Sequence, residues 1–363
     1  MSRKQQGVMP GRLVRLEHRS EILRDNPLGD PYVRELQVWL PPGYEDHASK
    51  RYPVLYDLVG YTAGGPAHTN WRNFDENVPE RAARLIAAGV MAPAILVFPD
   101  CFTALGGNQY INSSALGRYA DYLCHEIVPF VDQHFRTLAS RDSRGCFGKS
   151  SGGYGAMIHG MKYPNVWGAI ANHSGDAHFD LLYRSDWPNT LTELQKYRQP
   201  SKQAGRYRPP AATGAGLDDG RVRRFLEAFW QNDRPGGQEI MSLMNLAMAA
   251  SYDPDPTAPN GFRLPFELDT GEIIAARWKR WLQHDPIYLV KANAKRLQSL
   301  RGIYVDCGWR DQYHIHFGSR ILSRELSNHG VKHRYEEFNG THSGIDHRMD
   351  ISLPFLTRVL KKR

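Results

Sequence analysis

Between Tyr32 and Tyr44 the chain alternates apolar against polar, YVRELQVWLPPGY, and stops at Pro-Pro-Gly. Alternation of period two predicts an antiparallel strand with one face covered, closed by a turn. A different pattern follows. YPVLYDLVGY and APAILVFPDC are short and nearly continuous in apolar residues, as strands are when a parallel sheet buries both their faces. NVPERAARLIAAG, between them, has helical spacing. GRYADYLCHEIVPFVDQHF places Tyr119, Tyr122, Leu123, Ile127, Phe130 and Val131 near one helical face, with a bend expected at Pro129. SRGCFG then reads as a strand, SGGYGAMIHGMKY as a helix and WGAIANHSG as another buried strand. From Ala177 to His284 the alternation breaks. QPSKQAGRYRPPAATGAGLDDG has the Pro and Gly content of a loop, and RVRRFLEAFW and EIMSLMNLAMAA read as helices. The strand-helix rhythm resumes with GIYVDCG, RILSRELSNHG, HRYEEFNG and ISLPFLTRVLKKR. The expected fold is α/β, an open and mostly parallel sheet flanked by helices. Residues 1–176 and 285–363 are expected to form it, with 177–284 as an inserted, mainly helical lid.

Composition changes this picture little. At 363 residues, 41% hydrophobic and 23% charged, the chain can build one large core. The net charge of +8 is scattered and not gathered in a basic-aromatic module, so no nucleic-acid partner is expected. No apolar stretch reaches the roughly 18 residues of a membrane span. The charged start, MSRKQQGVMPGRLVRLEH, is followed by no apolar run and does not read as a secretory signal. Cys101, Cys124, Cys146 and Cys307 form no C-x-x-C pair, so neither a zinc site nor a redox motif is expected. A cytoplasmic protein with reduced, mostly buried thiols is the expectation.

The candidate chemistry lies in GCFGKSSGGYGAM. A strand-to-helix turn falls at Gly148-Lys149-Ser150-Ser151-Gly152, which matches G-x-S-x-G. In such an elbow the serine is strained, and the residues two before and two after it must be nearly free of side chain so that strand and helix pack closely. Ser150 has glycine at both positions, whereas Ser151 has Lys149 two residues before it. A phosphate loop is excluded by spacing, because Ser143 stands where its first glycine belongs. A serine hydroxyl needs a base, and the base needs an orienting carboxylate. VDCGWRDQY offers Asp306 and Asp311, and FNGTHSGIDH offers His342 and His347. His342 lies just past a strand end, where ligand-facing groups collect. Asp311 is far enough beyond its strand to reach the next loop, while Asp306 sits nearer the strand as a structural acceptor. The oxyanion donors are expected to be the backbone N–H groups of Ser151 and of Tyr61, the latter in LVGYTAGG. His314 and His316 have no third ligand spaced to complete a metal site, and Cys101 lacks elbow glycines.

RYPVLYDLVGY, FPDCFTALGGNQYINS, GKSSGGYGAM, CGWRDQY and FNGTHS together resemble the esterase branch of the α/β-hydrolase superfamily. That branch includes feruloyl and acetylxylan esterases, S-formylglutathione hydrolase, enterochelin-type esterases and mycolyl transferases. The resemblance covers Tyr32 to Asp176 and Asp285 to the end. It implies an α/β-hydrolase fold with Ser150 as nucleophile, Asp311 as acid and His342 as base, and a pocket bordered by FPDCFTALGGNQYINS. The chain departs from the pattern at Val59, where the family usually has His before the oxyanion glycine, and the segment 177–284 matches nothing in it.

The expected activity is hydrolysis of a small carboxylic ester through an acyl-enzyme, with no cofactor and no metal. The same site could serve an acyltransferase, and the same fold a catalytically silent binding protein. Met241, Met244, Trp230 and Trp278 are expected to face the substrate from the lid, favouring esters with an aromatic or medium-length apolar portion.

Overall fold

The computed structural model describes residues 10–198 and 218–361. The predicted loop QPSKQAGRYRPPAATGAGLDDG therefore lies largely outside the described residues. Eight strands form one sheet: β1 (Arg12–Arg19), β2 (Val33–Leu40), β3 (Val54–Leu58), β4 (Ile95–Pro99), β7 (Arg144–Lys149), β8 (Ala169–His173), β9 (Gly302–Gly308) and β10 (Arg334–Phe338). A ribbon of β5 (Asn112–Ser113) and β6 (Gly117–Arg118) stands apart from it. The order across the sheet is β1-β2-β4-β3-β7-β8-β9-β10. β1 and β2 are antiparallel to each other and β2 is antiparallel to β4; every other pairing is parallel. The expected α/β sheet is present, and β1 extends it in a segment read only as a charged N-terminus.

The central strands β3, β4 and β8 are buried along their whole length, as their unbroken apolar runs require. One face is covered by α1 (Val78–Ala87) and α12 (Met349–Val359), whose Leu85, Leu353 and Leu356 join Phe98, Phe147 and Tyr304. α1 starts at Asn77, which caps the Glu80 N–H while the Glu80 side chain returns to the Asn77 N–H. The other face carries α2 (Tyr119–Asp121), α3 (Val128–His134), α4 (Ser151–Lys162), α10 (Pro286–Gln298) and α11 (Ile315–Asn328). Between α2 and α3, Tyr122–Ile127 winds as a π-type turn. It lies where the sequence predicted a bend, ahead of Pro129, which has no N–H to give the preceding turn.

The segment 177–284 contains α5 (Phe179–Leu182), α6 (Trp187–Gln195), α7 (Arg221–Gln231), α8 (Gly237–Tyr252) and α9 (Ala275–Leu282). Its two ends are tied together. Asp285, which caps α10, accepts hydrogen bonds from the backbone N–H groups of His178 (3.1 Å) and Phe179 (2.7 Å). The apolar side chains of the segment, among them Phe179, Trp187, Leu246 and Trp281, belong to the same continuous core as Tyr154 and Ile158 of α4. Among the described residues no helix is long and apolar enough to cross a membrane.

Candidate active site

All parallel strands end on one edge of the sheet, and the chemistry-bearing loops leave from that edge. β7 ends at Lys149, Ser150 follows, and α4 begins at Ser151. Ser150 has φ 57° and ψ −125°, a conformation a residue with a side chain rarely adopts. Such backbone costs about 1–3 kcal/mol and persists only where its surroundings enforce it. Here its N–H donates to the His173 carbonyl (2.9 Å), and its carbonyl accepts the Tyr154 N–H (2.9 Å). The flanking glycines have a direct cause. A Cβ on Gly152 would lie 1.7 Å from the Leu58 carbonyl oxygen, and one on Gly148 2.2 Å from the same atom. The last carbonyl of β3 thus occupies the space that two side chains would need.

Asp311 and His342 follow β9 and β10. His342 Nδ1 donates to Asp311 Oδ2 over 2.7 Å, both groups being buried. This bond leaves Nε2 as the free ring nitrogen. Asp311 Oδ1 accepts the Tyr313 N–H (2.9 Å). Burial alone would raise the Asp311 carboxyl, but the hydrogen bond and charge of His342, with backbone donors, hold it below its ordinary value. The loops are fixed to each other: Gln312 Oε1 accepts the His342 N–H (2.9 Å), Arg310 donates its N–H to the Gly340 carbonyl (3.0 Å), and Tyr313 meets the imidazole edge-on at 4.9 Å. Asp306 lies elsewhere. It pairs with His173 (2.7 Å) inside the protein. His347 bonds only the Gly344 carbonyl on the surface, among the contacts described for it, besides resting edge-on against Phe338.

The loop after β3 lies against the elbow, for a Cβ on Gly60 would sit 3.5 Å from Ser150 Cβ. Tyr61 follows it. The Tyr61 hydroxyl donates to the Leu105 carbonyl (2.6 Å), Thr62 N–H donates to Gly106 (2.8 Å), and Tyr110 OH donates to Val59 (2.6 Å). The stretch FTALGGNQY therefore clamps the loop that carries Tyr61. Val59, standing where His was expected, is buried.

Sequence reasoning missed a polar cluster behind Ser151. Gln109 Nε2 donates to Ser151 Oγ (3.2 Å), Asp176 Oδ2 (3.0 Å) and Met248 Sδ (2.7 Å), and Tyr183 OH donates to the same Asp176 oxygen (2.7 Å). Burial holds the Asp176 carboxyl above its ordinary value despite those donors. Its signal in the sequence was the position of Asp176 three residues past the end of β8. Of the residues expected to face substrate from 177–284, Met241 and Met244 are half-buried on α8. Trp230 is 53% exposed and donates to the Ala104 carbonyl (2.9 Å). Trp278 is buried in the segment's own aromatic core, edge-on to Trp187 at 5.0 Å and donating to Asp180 (3.0 Å). His314 and His316 lie at the start of α11, and no group of three metal-ligating side chains occurs among the described residues.

A mostly parallel sheet with flanking helices and a strained serine between strand and helix is the architecture of α/β-hydrolases. The chain belongs to the esterase family whose model, described as "Putative esterase", matches residues 32–352. The mycobacterial Esterase Rv1288 (Mycobacterium tuberculosis H37Rv) is 32% identical over 148 residues, 39% of this chain but only 29% of that protein. An endo-1,4-beta-xylanase/feruloyl esterase of Xylanibacter ruminicola is 27% identical over 158 residues, 40% of this chain and 20% of that one. The chain thus matches less than a third of either relative's length. Among solved structures, a ferulic acid esterase superposes with a TM-score of 0.60 at 18% identity, covering 97% of this chain and 99% of that one. An S-formylglutathione hydrolase from Agrobacterium tumefaciens gives 0.54 at 16% identity, covering 99% of each. At these identities the likeness is one of fold.

Proposed function

We propose that the protein is a serine carboxylic ester hydrolase. The observation that carries this reading is the strained Ser150 elbow on the same sheet edge as the buried Asp311–His342 pair. In this reading His342 Nε2 takes the proton of Ser150 Oγ as the oxygen attacks the ester carbonyl carbon. The negative charge that develops on the carbonyl oxygen is received by the backbone N–H groups of Ser151 and Tyr61. Collapse of the tetrahedral intermediate breaks the ester C–O bond, and His342 returns the proton to the departing alcohol. A water molecule, deprotonated by the same imidazole, then hydrolyses the acyl-enzyme and releases the acid. Asp311 holds the ring in the tautomer this requires and stabilises the imidazolium.

The family membership and the serine hydrolases among the structural neighbours support the reaction class. Those neighbours include one titled a fluorophosphonate-binding serine hydrolase (Staphylococcus aureus, TM-score 0.58, 15% identity). The test is active-site labelling. A fluorophosphonate probe should modify the protein at one serine, identified by peptide mapping as Ser150, and abolish hydrolysis of a nitrophenyl ester. An unlabelled protein, or a label on another serine, would overturn the assignment.

A further inference from the structure

Two further histidine-aspartate pairs are buried, His68 with Asp57 (2.6 Å) and His173 with Asp306, and the latter leads back to the site. His173 Nδ1 bonds Asp306 Oδ1 at 2.7 Å, and His173 Nε2 meets Ser352 Oγ at 2.8 Å. The constellation copies a Ser-His-Asp triad, but Ser352, His173 and Asp306 are 0%, 2% and 0% exposed, so no substrate reaches them. Their connections lead to the active-site edge along two routes. The His173 carbonyl accepts the N–H of Ser150, the strained residue of the elbow. On its other side the Asp306 carboxylate accepts Arg348 Nε (2.8 Å) and the Tyr304 hydroxyl (2.8 Å) on Oδ2. Arg348 closes the loop that leaves β10 and carries His342. Its guanidinium also reaches the Tyr304 hydroxyl (2.8 Å) and Glu336 Oε2 (2.5 Å) and lies 4.5 Å from the centre of the Phe338 ring.

We infer that Asp306 is a positioning residue for the reaction: through His173 and Arg348 its carboxylate sets the separation of Ser150 and His342. One oxygen anchors the residue that holds the nucleophile's backbone, and the other anchors the far end of the loop that holds the base. A hydrophobic core fixes such loops only to within the slack of its packing. A buried charged network with a donor on each oxygen fixes them in direction as well as distance. Displacement of a nucleophile and its base by about 1 Å costs up to roughly 100-fold in rate. The inference rests on the assignment of Ser150 and His342 proposed above.

The experiment measures kcat, KM and the fluorophosphonate labelling rate of Asp306→Asn, Arg348→Lys, Arg348→Met and Ser352→Ala, each well below its own melting temperature. Asp306→Asn and Arg348→Met should lower kcat and the labelling rate by roughly 10- to 100-fold, with KM changed less than about threefold. Arg348→Lys keeps a charge but not the two-sided fork, and should fall between Arg348→Met and the parent. Ser352→Ala removes only the partner of His173 Nε2 and should cost a few-fold. If Asp306→Asn does not fold, the two Arg348 variants and Ser352→Ala decide alone. Folded variants with lowered melting temperatures but the parent's kcat and labelling rate would make the network structural and overturn the inference. Retained turnover in Ser150→Ala would instead overturn the proposed function, so the two failures are distinguishable.

Discussion

The His173–Asp306 and His342–Asp311 pairs have nearly the same local geometry. In each, imidazole Nδ1 lies 2.7 Å from a buried carboxylate oxygen. In each, burial would raise the carboxyl, and partners outweigh it so that the group is held below its ordinary value. They differ in what the second ring nitrogen meets. For His173 it is the hydroxyl of Ser352, inside α12 and sealed from solvent. For His342, in the proposed mechanism, it is the hydroxyl of Ser150, a residue that is partly exposed at the same sheet edge. A pair is therefore not a site. The strand end it follows and the access of the third group decide what it can do.

The largest expected contrast lies between the two serines. Ser150→Ala should lower ester turnover by roughly 1,000-fold or more, leaving what binding and the oxyanion donors supply. Ser352→Ala should stay within about tenfold of the parent. Steady-state assays on the two purified variants suffice; a Ser352→Ala variant as dead as Ser150→Ala would erase the distinction.

Asp311→Asn should lower kcat by about 1,000-fold or more, with a smaller loss of melting temperature than Asp306→Asn. Its amide can still accept the Tyr313 N–H, so the loop survives while the imidazole loses its orientation. Asp306→Asn should cost less in rate, roughly 10- to 100-fold, and more in stability. It takes from Arg348 and His173 the buried charge they share, at a cost of about 3–5 kcal/mol. Thermal melts paired with kcat rank the two carboxylates on separate axes, and the reverse ranking would move the acid to Asp306.

The elbow that carries Ser150 depends on Gly152. Alanine there gains up to about 1 kcal/mol of helix propensity. It also puts a methyl 1.7 Å from the Leu58 carbonyl, an overlap that costs upwards of about 3 kcal/mol. The clash wins. Gly152→Ala should be poorly soluble or strongly destabilised, which expression yield and urea unfolding measure. A variant of normal stability would mean that strand and elbow do not pack this closely.

How much of this was legible follows from where each signal lives. The elbow was readable because its cause is local: two glycines, a strand and a helix within a dozen residues. The strands β3, β4 and β8 carried their burial in short, nearly continuous apolar runs. β1 did not, since RLVRLEHR at a sheet edge is half-exposed and mixes charge with apolar residues. The choice between Asp306 and Asp311 leaned on loop position, and the partner that occupies Asp306 is 133 positions away in the chain. Spacing cannot reveal such a contact. For the same reason the meeting of Gln109, Asp176 and Met248 behind Ser151, from three separate stretches, left no more of a trace than the place of Asp176 after β8. Trp278 shows a different limit, for it packs against Trp187. A large aromatic at helical spacing can face a ligand or its own neighbours, and nothing along the chain distinguishes them.

The two pairs also share a consequence for acid stability. Both carboxyls are held below 3.8 in the folded protein, so between that value and their folded values the native state binds fewer protons than the unfolded chain. The stability each contributes is complete above the unfolded value and is lost as pH falls through the folded one. Melting temperature should therefore drop steeply as pH falls below about 4. Asp306→Asn and Asp311→Asn should each flatten that drop while lowering the plateau at neutral pH. An unchanged acid slope in both variants would mean that neither carboxylate is held down by its imidazole.

The smallest effect is expected at Ser151. Among the described residues its side chain accepts from Gln109, whose Nε2 keeps Asp176 and Met248 as partners when that hydroxyl is gone. In the proposed mechanism its backbone N–H meets the oxyanion, and alanine keeps that N–H in the same helix-start position. A neutral hydrogen bond of this kind contributes about 1 kcal/mol, which bounds the change in turnover at under roughly tenfold. Ser151→Ala should accordingly remain an efficient target for the fluorophosphonate probe. A loss comparable to that of Ser150→Ala would place the reactive hydroxyl one residue later, in α4, and the strained backbone at Ser150 would then have no chemical purpose.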